Sequence, residues 1–220
     1  MAELVLVRHG QASFGADDYD KLSALGWQQS RWLGEYFARR GLRFDRVVRG
    51  SLRRHAETWT GIAEGMGIAP DCAEDPGLNE YDSHDILRAH LDGRELPSGN
   101  DRREHFRALR EALYRWTEGG LPAMPRESFA AFRGRVLGAL DAVRAAGGKR
   151  VLVVSSGGPI STMLAHVLAT PARGWVDLNL QTRNTGITEF ASGTNRIHCV
   201  SFNNVPHLDG PGREGALTYS

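Results

Sequence analysis

Arg8, His9 and Gly10 follow directly on the apolar run Leu4-Val5-Leu6-Val7. A neutral imidazole is a nucleophile and base near neutral pH. A guanidinium is a permanent cation whose planar fork suits oxyanions, and a glycine lets a ligand approach the backbone closely. Together they would hold an anionic group against a nucleophile. Three further stretches carry related chemistry: Ser51-Leu52-Arg53-Arg54 with Thr58, the carboxylate of Glu80, and Ser155-Ser156-Gly157-Gly158. Gln11 and Ser13 lie close enough to His9 in sequence to face the same ligand. Taken singly, each stretch is also an ordinary turn, a solvated basic segment or a loop carboxylate. The Gly157-Gly158 turn fits neither the Gly-x-Gly-x-x-Gly nor the Walker A pattern.

Leu4–Val7 is too short for a helix and does not alternate, so it reads as a strand buried on both faces. A helix is expected over about Leu25–Arg40, entered through Leu22-Ser23-Ala24-Leu25-Gly26. A second strand is expected over Phe44–Val48, with Arg53 and Arg54 at the start of the next helix. Cations there oppose the helix dipole, which points to a ligand. A third strand is expected near Ile68–Ala73, followed by Glu80. Residues of about 84–126 read as an insertion or lid, with a helix from near Asp101 that puts Phe106, Leu109, Leu113 and Trp116 on one face. Arg102, Arg103, Arg107 and Arg110 lie on the other, either for solubility or for a second anionic group of a substrate. An amphipathic helix spans Glu127–Ala146, and Val151–Val154 is a buried strand. That strand runs through Gly157 into a helix whose bare N–H groups would meet an anion. From Trp175 to Leu208 the chain reads as strands, ending in a hairpin of Ile187–Phe190 and Ile197–Phe202 about Ser192-Gly-Thr-Asn. The Gly-rich tail beyond Leu208 is expected to be loose.

The fold class that follows is α/β: a three-layer α/β/α sandwich with a mostly parallel central sheet and an antiparallel edge strand, forming one domain over residues 1–220. A net charge of +1 provides no global field for nucleic acid or membrane, so anion binding must be local. Cys72 and Cys199 form no metal motif, and free thiols fit a reducing compartment. With no basic leader and no apolar run of about 20 residues, the chain is expected to be cytoplasmic. No cofactor, metal, nucleic-acid or membrane partner is expected. Oligomeric state carries no mark, a dimer being compatible.

In this order the motifs resemble those of the histidine phosphatase superfamily, the phosphoglycerate-mutase-like proteins. Arg8-His9-Gly10 after the first strand is similar to its signature, and Leu22–Gly26 looks like its Leu-Thr-x-x-Gly. Ser51–Arg54 with Thr58 is similar to its second motif, which puts the family's catalytic arginine on Arg54. Leu78-Asn79-Glu80 resembles the segment carrying its acidic residue. Val153–Gly158 looks like its Val-Ser-His-Gly-Gly, while Asn184-Thr-Gly-Ile and Phe202-Asn-Asn-Val-Pro-His-Leu208 resemble its C-terminal stretches. The resemblance covers nearly the whole chain outside the insertion and the tail.

What it implies is two-step phosphoryl transfer without a metal. His9 attacks phosphorus, Arg8 and Arg54 neutralise the equatorial oxygens, and Glu80 protonates the leaving oxygen and then activates water. Gln11, Ser13 and Gly157 would contact the phosphate or substrate, a small phosphorylated molecule or a phosphoprotein. The sequence departs from the pattern at Ser156, which stands where the family has its second active-site histidine. A hydroxyl brings no charge, so an uncompensated loss of about a hundredfold or more in rate is expected. His55 and His84 are placed to compensate, although ordinary surface positions are the simpler reading of both. The rival readings are a mutase, and a family member that binds phosphate or a partner without turnover.

Overall fold

Leu4, Val5, Leu6 and Val7 are at most 1% exposed in the computed structural model, which describes residues 1–13, 20–94, 102–194 and 196–219. They lie in strand β1 (Ala2–Arg8), and alternate side chains enter different layers. Leu4 and Leu6 pack with Leu113, Phe132, Ile160 and Trp175, whereas Val5 and Val7 pack with Leu33, Phe37, Trp59 and Ile62. A strand covered on both sides needs no polar face, which is why the run is uniformly apolar. Each such buried side chain contributes about 1.5–3 kcal/mol.

The remaining elements are α1 (Ala24–Arg39), β2 (Arg46–Arg49), α2 (Arg53–Met66), β3 (Ala73–Glu74), α3 (Ser83–Leu91), α4 (Arg102–Glu118), α5 (Phe129–Ala145), β4 (Arg150–Ser155), α6 (Gly157–Val167), α7 (Ala172–Leu180), β5 (Ile187–Ser192) and β6 (Ile197–Asn204). The six strands form one sheet in the order β3-β2-β4-β1-β5-β6. The first four are parallel, β5 runs antiparallel to β1, and β6 antiparallel to β5. The reversed strand therefore lies one place in from the edge. Helices α1 and α2 cover one face and α3–α7 the other, giving the expected three-layer α/β sandwich.

Three local expectations change: those for Trp175–Leu180, the third strand and the tail. Trp175–Leu180 is helical, although Val176, Leu178 and Leu180 alternate with Asp177 and Asn179 as in a strand. Trp175, Val176 and Asn179 are the buried residues, a helical spacing. The third strand shrinks to Ala73–Glu74, because Ile68 stays 39% exposed and Pro70 has no N–H to donate to a ladder. The 84–126 segment is joined to the core: Ile86, Leu87, Leu109, Ala112, Leu113 and Trp116 share one cluster with the sheet. Arg103, Arg107 and Arg110 of α4 are exposed, while Asp101 and the Arg102 side chain lie outside the described residues, as do 14–19 of the polar loop and Asn195 of the hairpin turn.

The tail is not loose. Ala216 is 3% exposed, and its carbonyl accepts from Gln29 Nε2 at 2.7 Å. Thr218 accepts at Oγ1 from the same Nε2 at 2.9 Å and at its carbonyl from the Asn184 amide at 2.9 Å. Backbone polar groups on a protein surface require partners wherever water is displaced. Gln29, fully buried on α1, supplies them to a segment whose composition gives no sign of order.

Candidate active site

The strand ends are in register. Arg8 pairs with Ser155 between β1 and β4, and Arg49 with Val154 between β2 and β4. The ladder continues past the strands: the His9 amide donates to the Ser155 carbonyl at 2.9 Å and the Gly50 amide to the Val154 carbonyl at 3.1 Å. His9, the Gly50–Arg54 turn and Ser156 therefore leave the sheet side by side at the carboxyl ends of parallel strands, where open α/β sheets bind ligands.

Gly10 and Gly26 explain each other. A Cβ on Gly10 would fall 2.5 Å from the Gly26 carbonyl oxygen, and one on Gly26 would fall 2.1 Å from the Gln11 carbonyl oxygen. The His9 turn thus packs backbone-on-backbone against the start of α1, which Ser23 caps by accepting from the Gly26 amide at 3.0 Å. Thr58 ties the turn to α2, its Oγ1 accepting from the Gly10 amide at 3.0 Å and donating to the Arg54 carbonyl at 2.7 Å. Behind His9, the Thr185 amide donates to the carbonyls of Arg8 and His9. Thr185 sits at φ +55°, a strained conformation for a β-branched residue, and is held there by a 2.7 Å hydrogen bond between its Oγ1 and His207 Nε2.

His9 is 4% exposed. Its Nδ1 lies 2.7 Å from the Gly10 carbonyl. A carbonyl only accepts, so Nδ1 carries the proton and Nε2 keeps its lone pair. Burial, then the charges of Arg54, Arg8 and His55, hold the imidazole well below the ordinary histidine range, which keeps it neutral and nucleophilic. Arg54, 8% exposed in the first turn of α2, pairs through Nη1 with Asp20 at 2.7 Å. Asp20 also accepts from the Arg53 amide at 2.8 Å, supplying the cap that Leu52 at the helix start cannot. Arg8 Nη1 donates to the carbonyls of Thr182 and Tyr219, so the tail reaches the site.

Glu80 follows β3 and is half-buried. Gly158 donates to its Oε2 at 3.2 Å, and a Cβ on Gly158 would fall 2.1 Å from Oε1. The second glycine of the pair thus makes room for a carboxylate. Burial pushes the Glu80 carboxyl up, against the opposing charges of Arg54 and Arg8. Asn79 fastens this segment to the turn before α2, accepting from the Ser51 amide at 2.8 Å and donating to Ser51 Oγ at 2.6 Å.

Arg8, His9, Arg54, Glu80 and Ser156 thus converge, with the two guanidinium charges acting on both His9 and Glu80. Gly157 opens α6, packed so closely that a Cβ would lie 2.6 Å from Thr182 Oγ1. Gln11 is held at the rim, its Oε1 accepting from Ser23 Oγ at 2.8 Å. The Ser13 amide donates to the Lys21 carbonyl at 2.9 Å, which places it at the root of the polar loop. His84 is exposed as expected, but His55 is fully buried. Its Nε2 lies 2.7 Å from Ser156 Oγ and its ring centroid 5.9 Å from that of His9. Sequence reasoning missed Asp20 and Tyr219 and undervalued His55, whose one signal was its place next to Arg54. Among the described residues, no group of three or more His, Cys, Asp or Glu is placed to hold a metal ion, and no helix is long and apolar enough to cross a membrane.

The family model for the histidine phosphatase superfamily (branch 1) matches residues 4–205. No curated protein matches the chain by sequence. Among solved structures, it is similar to a mutant phosphoserine phosphatase from Entamoeba histolytica in complex with phosphoserine (TM-score 0.66, 20% identity, covering 94% of this chain and 100% of that one). It is similar also to YhfR of Bacillus stearothermophilus (0.69, 20%, 94% and 99%). A third is a mycobacterial glucosyl-3-phosphoglycerate phosphatase in complex with inorganic phosphate (0.67, 21%, 94% and 99%). At these identities the likeness speaks for the fold.

Proposed function

Given that this chain belongs to the histidine phosphatase superfamily, we propose that it is a phosphoric monoester hydrolase that works through a phosphohistidine at His9. The observation that carries this is the state of His9: a buried imidazole whose Nδ1–H is spent on the Gly10 carbonyl and whose Nε2 lone pair is free, beside two arginines. Nε2 attacks phosphorus in line. Arg8 and Arg54 meet the equatorial oxygens, where the transition state carries its charge. Arg8 comes with backbone carbonyls as its partners and Arg54 with Asp20, so both guanidiniums are aimed before substrate arrives. Glu80, whose raised carboxyl stays protonated to higher pH than an ordinary glutamate, donates its proton to the leaving oxygen. Left as a carboxylate, it then takes a proton from water attacking the phosphohistidine.

Two of the three neighbours above, the phosphoserine phosphatase and the glucosyl-3-phosphoglycerate phosphatase, are phosphatases that hold phosphoserine or inorganic phosphate by their own descriptions, which supports the same substrate class here: a small phosphorylated molecule or a phosphoprotein. The exposed arginines of α4 suit a substrate with further negative charge. A compartment with reduced thiols, the cytoplasm, fits two unpaired cysteines. The test is a panel of phosphoesters with wild-type protein and His9→Ala. Phosphate release by the wild type, with labelled phosphohistidine trapped on quenching, is expected to vanish in His9→Ala. Release of phosphate with no phosphohistidine would overturn the covalent route, and no release from any ester would overturn the hydrolase.

A further inference from the structure

His55 is a histidine that packing does not explain. It is fully buried at the start of α2, between Arg54 of its own helix, Arg49 at the end of β2 and His9 beyond β1. Its Nδ1 lies against Gly50 without a well-formed hydrogen bond. Its other nitrogen, Nε2, is committed to Ser156 at 2.7 Å.

Ser156 is equally unusual. It occupies the capping position of α6, where a serine hydroxyl ordinarily accepts from an amide of the first turn and adds about 1 kcal/mol. Ser156 makes no such bond, and the Gly158 amide goes to Glu80 instead. The hydroxyl is turned away from its own helix toward an imidazole on another. A buried imidazole and a buried hydroxyl are thus in contact, beside the nucleophile and the Arg49 and Arg54 guanidiniums.

Resting on the phosphoryl site proposed above, we propose that His55 and Ser156 are a two-residue proton relay. Without ligand, His55 is neutral and Ser156 donates its O–H to Nε2. When a phosphoryl dianion enters, its charge offsets those of Arg49 and Arg54 and the ring takes one proton from solvent. Nε2–H then donates to Ser156 Oγ, whose own hydrogen turns to a phosphoryl oxygen. No bond to phosphorus forms or breaks in this step, and the proton returns to solvent when phosphate leaves. Ser156 touches the phosphoryl group, whereas His55 is a positioning residue that acts through it. The positive charge missing at position 156 is thereby provided from position 55. The groups facing His55 are His9, Arg49 and Arg54. His9 has its Nδ1–H fixed on Gly10.

Tungstate, a dianion throughout the neutral range, separates this proton from titration of the ligand. Calorimetry in two buffers of different ionisation enthalpy counts the protons taken up. Wild type is expected to take up close to one proton per tungstate bound. Ser156→Ala and His55→Gln should take up none and bind about tenfold more weakly, and the double variant should be no weaker than the singles, since the two act as a unit. Ser156→Ala removes only the hydroxyl and leaves the imidazole in place, so it decides the matter if His55→Gln does not fold. Tungstate binding by wild type without proton uptake overturns the relay alone, as does wild-type uptake retained in Ser156→Ala. Failure of wild type to bind tungstate overturns the phosphoryl site as well.

Discussion

Gly158→Ala is a one-carbon test of the acid. The added Cβ would sit 2.1 Å from Glu80 Oε1 and 2.8 Å from the Tyr81 ring. Ordinary contact begins near 3.4 Å, so the carboxylate must withdraw by more than an ångström. The Glu80 end is flexible, and the stability loss stays within the range of mild overpacking, about 1–3 kcal/mol. The catalytic loss is larger, because an ångström of misplacement costs about a hundredfold and a general acid is worth roughly 10²–10⁴. The loss must also depend on the leaving group. An alkyl alkoxide needs Glu80's proton, whereas nitrophenolate leaves without it. On an alkyl phosphate the first turnover is expected to fall about a hundredfold. On p-nitrophenyl phosphate the first turnover stays within a few-fold of wild type. Steady turnover then slows as water attack loses its base, so a burst of nitrophenolate appears. Glu80→Gln should reproduce the pattern, and the double variant should add little. Rapid-quench measurement of both esters decides it. An equal fall in first turnover on both would show that the change acts on the phosphoryl clamp, and no fall on either would remove Glu80 from the reaction.

Thr58→Val keeps the shape but strands the buried Gly10 N–H; denaturant unfolding should show a loss of about 1–3 kcal/mol, with the His9 turn less well held. Removing residues 214–220 deprives Gln29 and Asn184 of acceptors and should lower stability by a similar amount, read as a fall in Tm together with a raised KM as Arg8 loses the Tyr219 carbonyl. His9, His55 and His207 are all held below the ordinary histidine value of 6.5, His207 at about 3. The unfolded chain therefore binds more protons below 6.5, so stability is complete above that value and falls as pH drops. His207 alone contributes a slope of up to about 1.4 kcal/mol per pH unit down to about 3, and His207→Gln should flatten the curve of unfolding midpoint against pH between those limits.

The sheet and Arg8, His9, Arg54 and Ser156 were legible because their motifs sit where a buried apolar run stops and parallel strands end together, whereas Glu80, which follows the exposed β3, was legible through the resemblance of its segment. His55 was not, since burial of a single residue in the first turn of a helix depends on what the neighbouring strand brings beside it. The tail was misread for a related reason: Gly210, Gly212 and Gly215 suggest freedom, while the groups that hold the tail, Gln29 and Asn184, are far away in sequence. Trp175–Leu180 failed through a coincidence of period, its apolar alternation satisfying a strand while its buried side chains, Trp175, Val176 and Asn179, fall at helical spacing.

Strand β1 is made before both of its neighbours in the sheet, which begin at residues 150 and 187. Ribosomes add about 5–20 residues per second, so an emerging chain carries four adjacent large apolar side chains for about 7–30 s before either neighbour exists. Such long-range pairing is slow and exposed to aggregation. A chaperone that shields Leu4–Val7 during synthesis would therefore raise the yield of folded protein more than any change to the later strands.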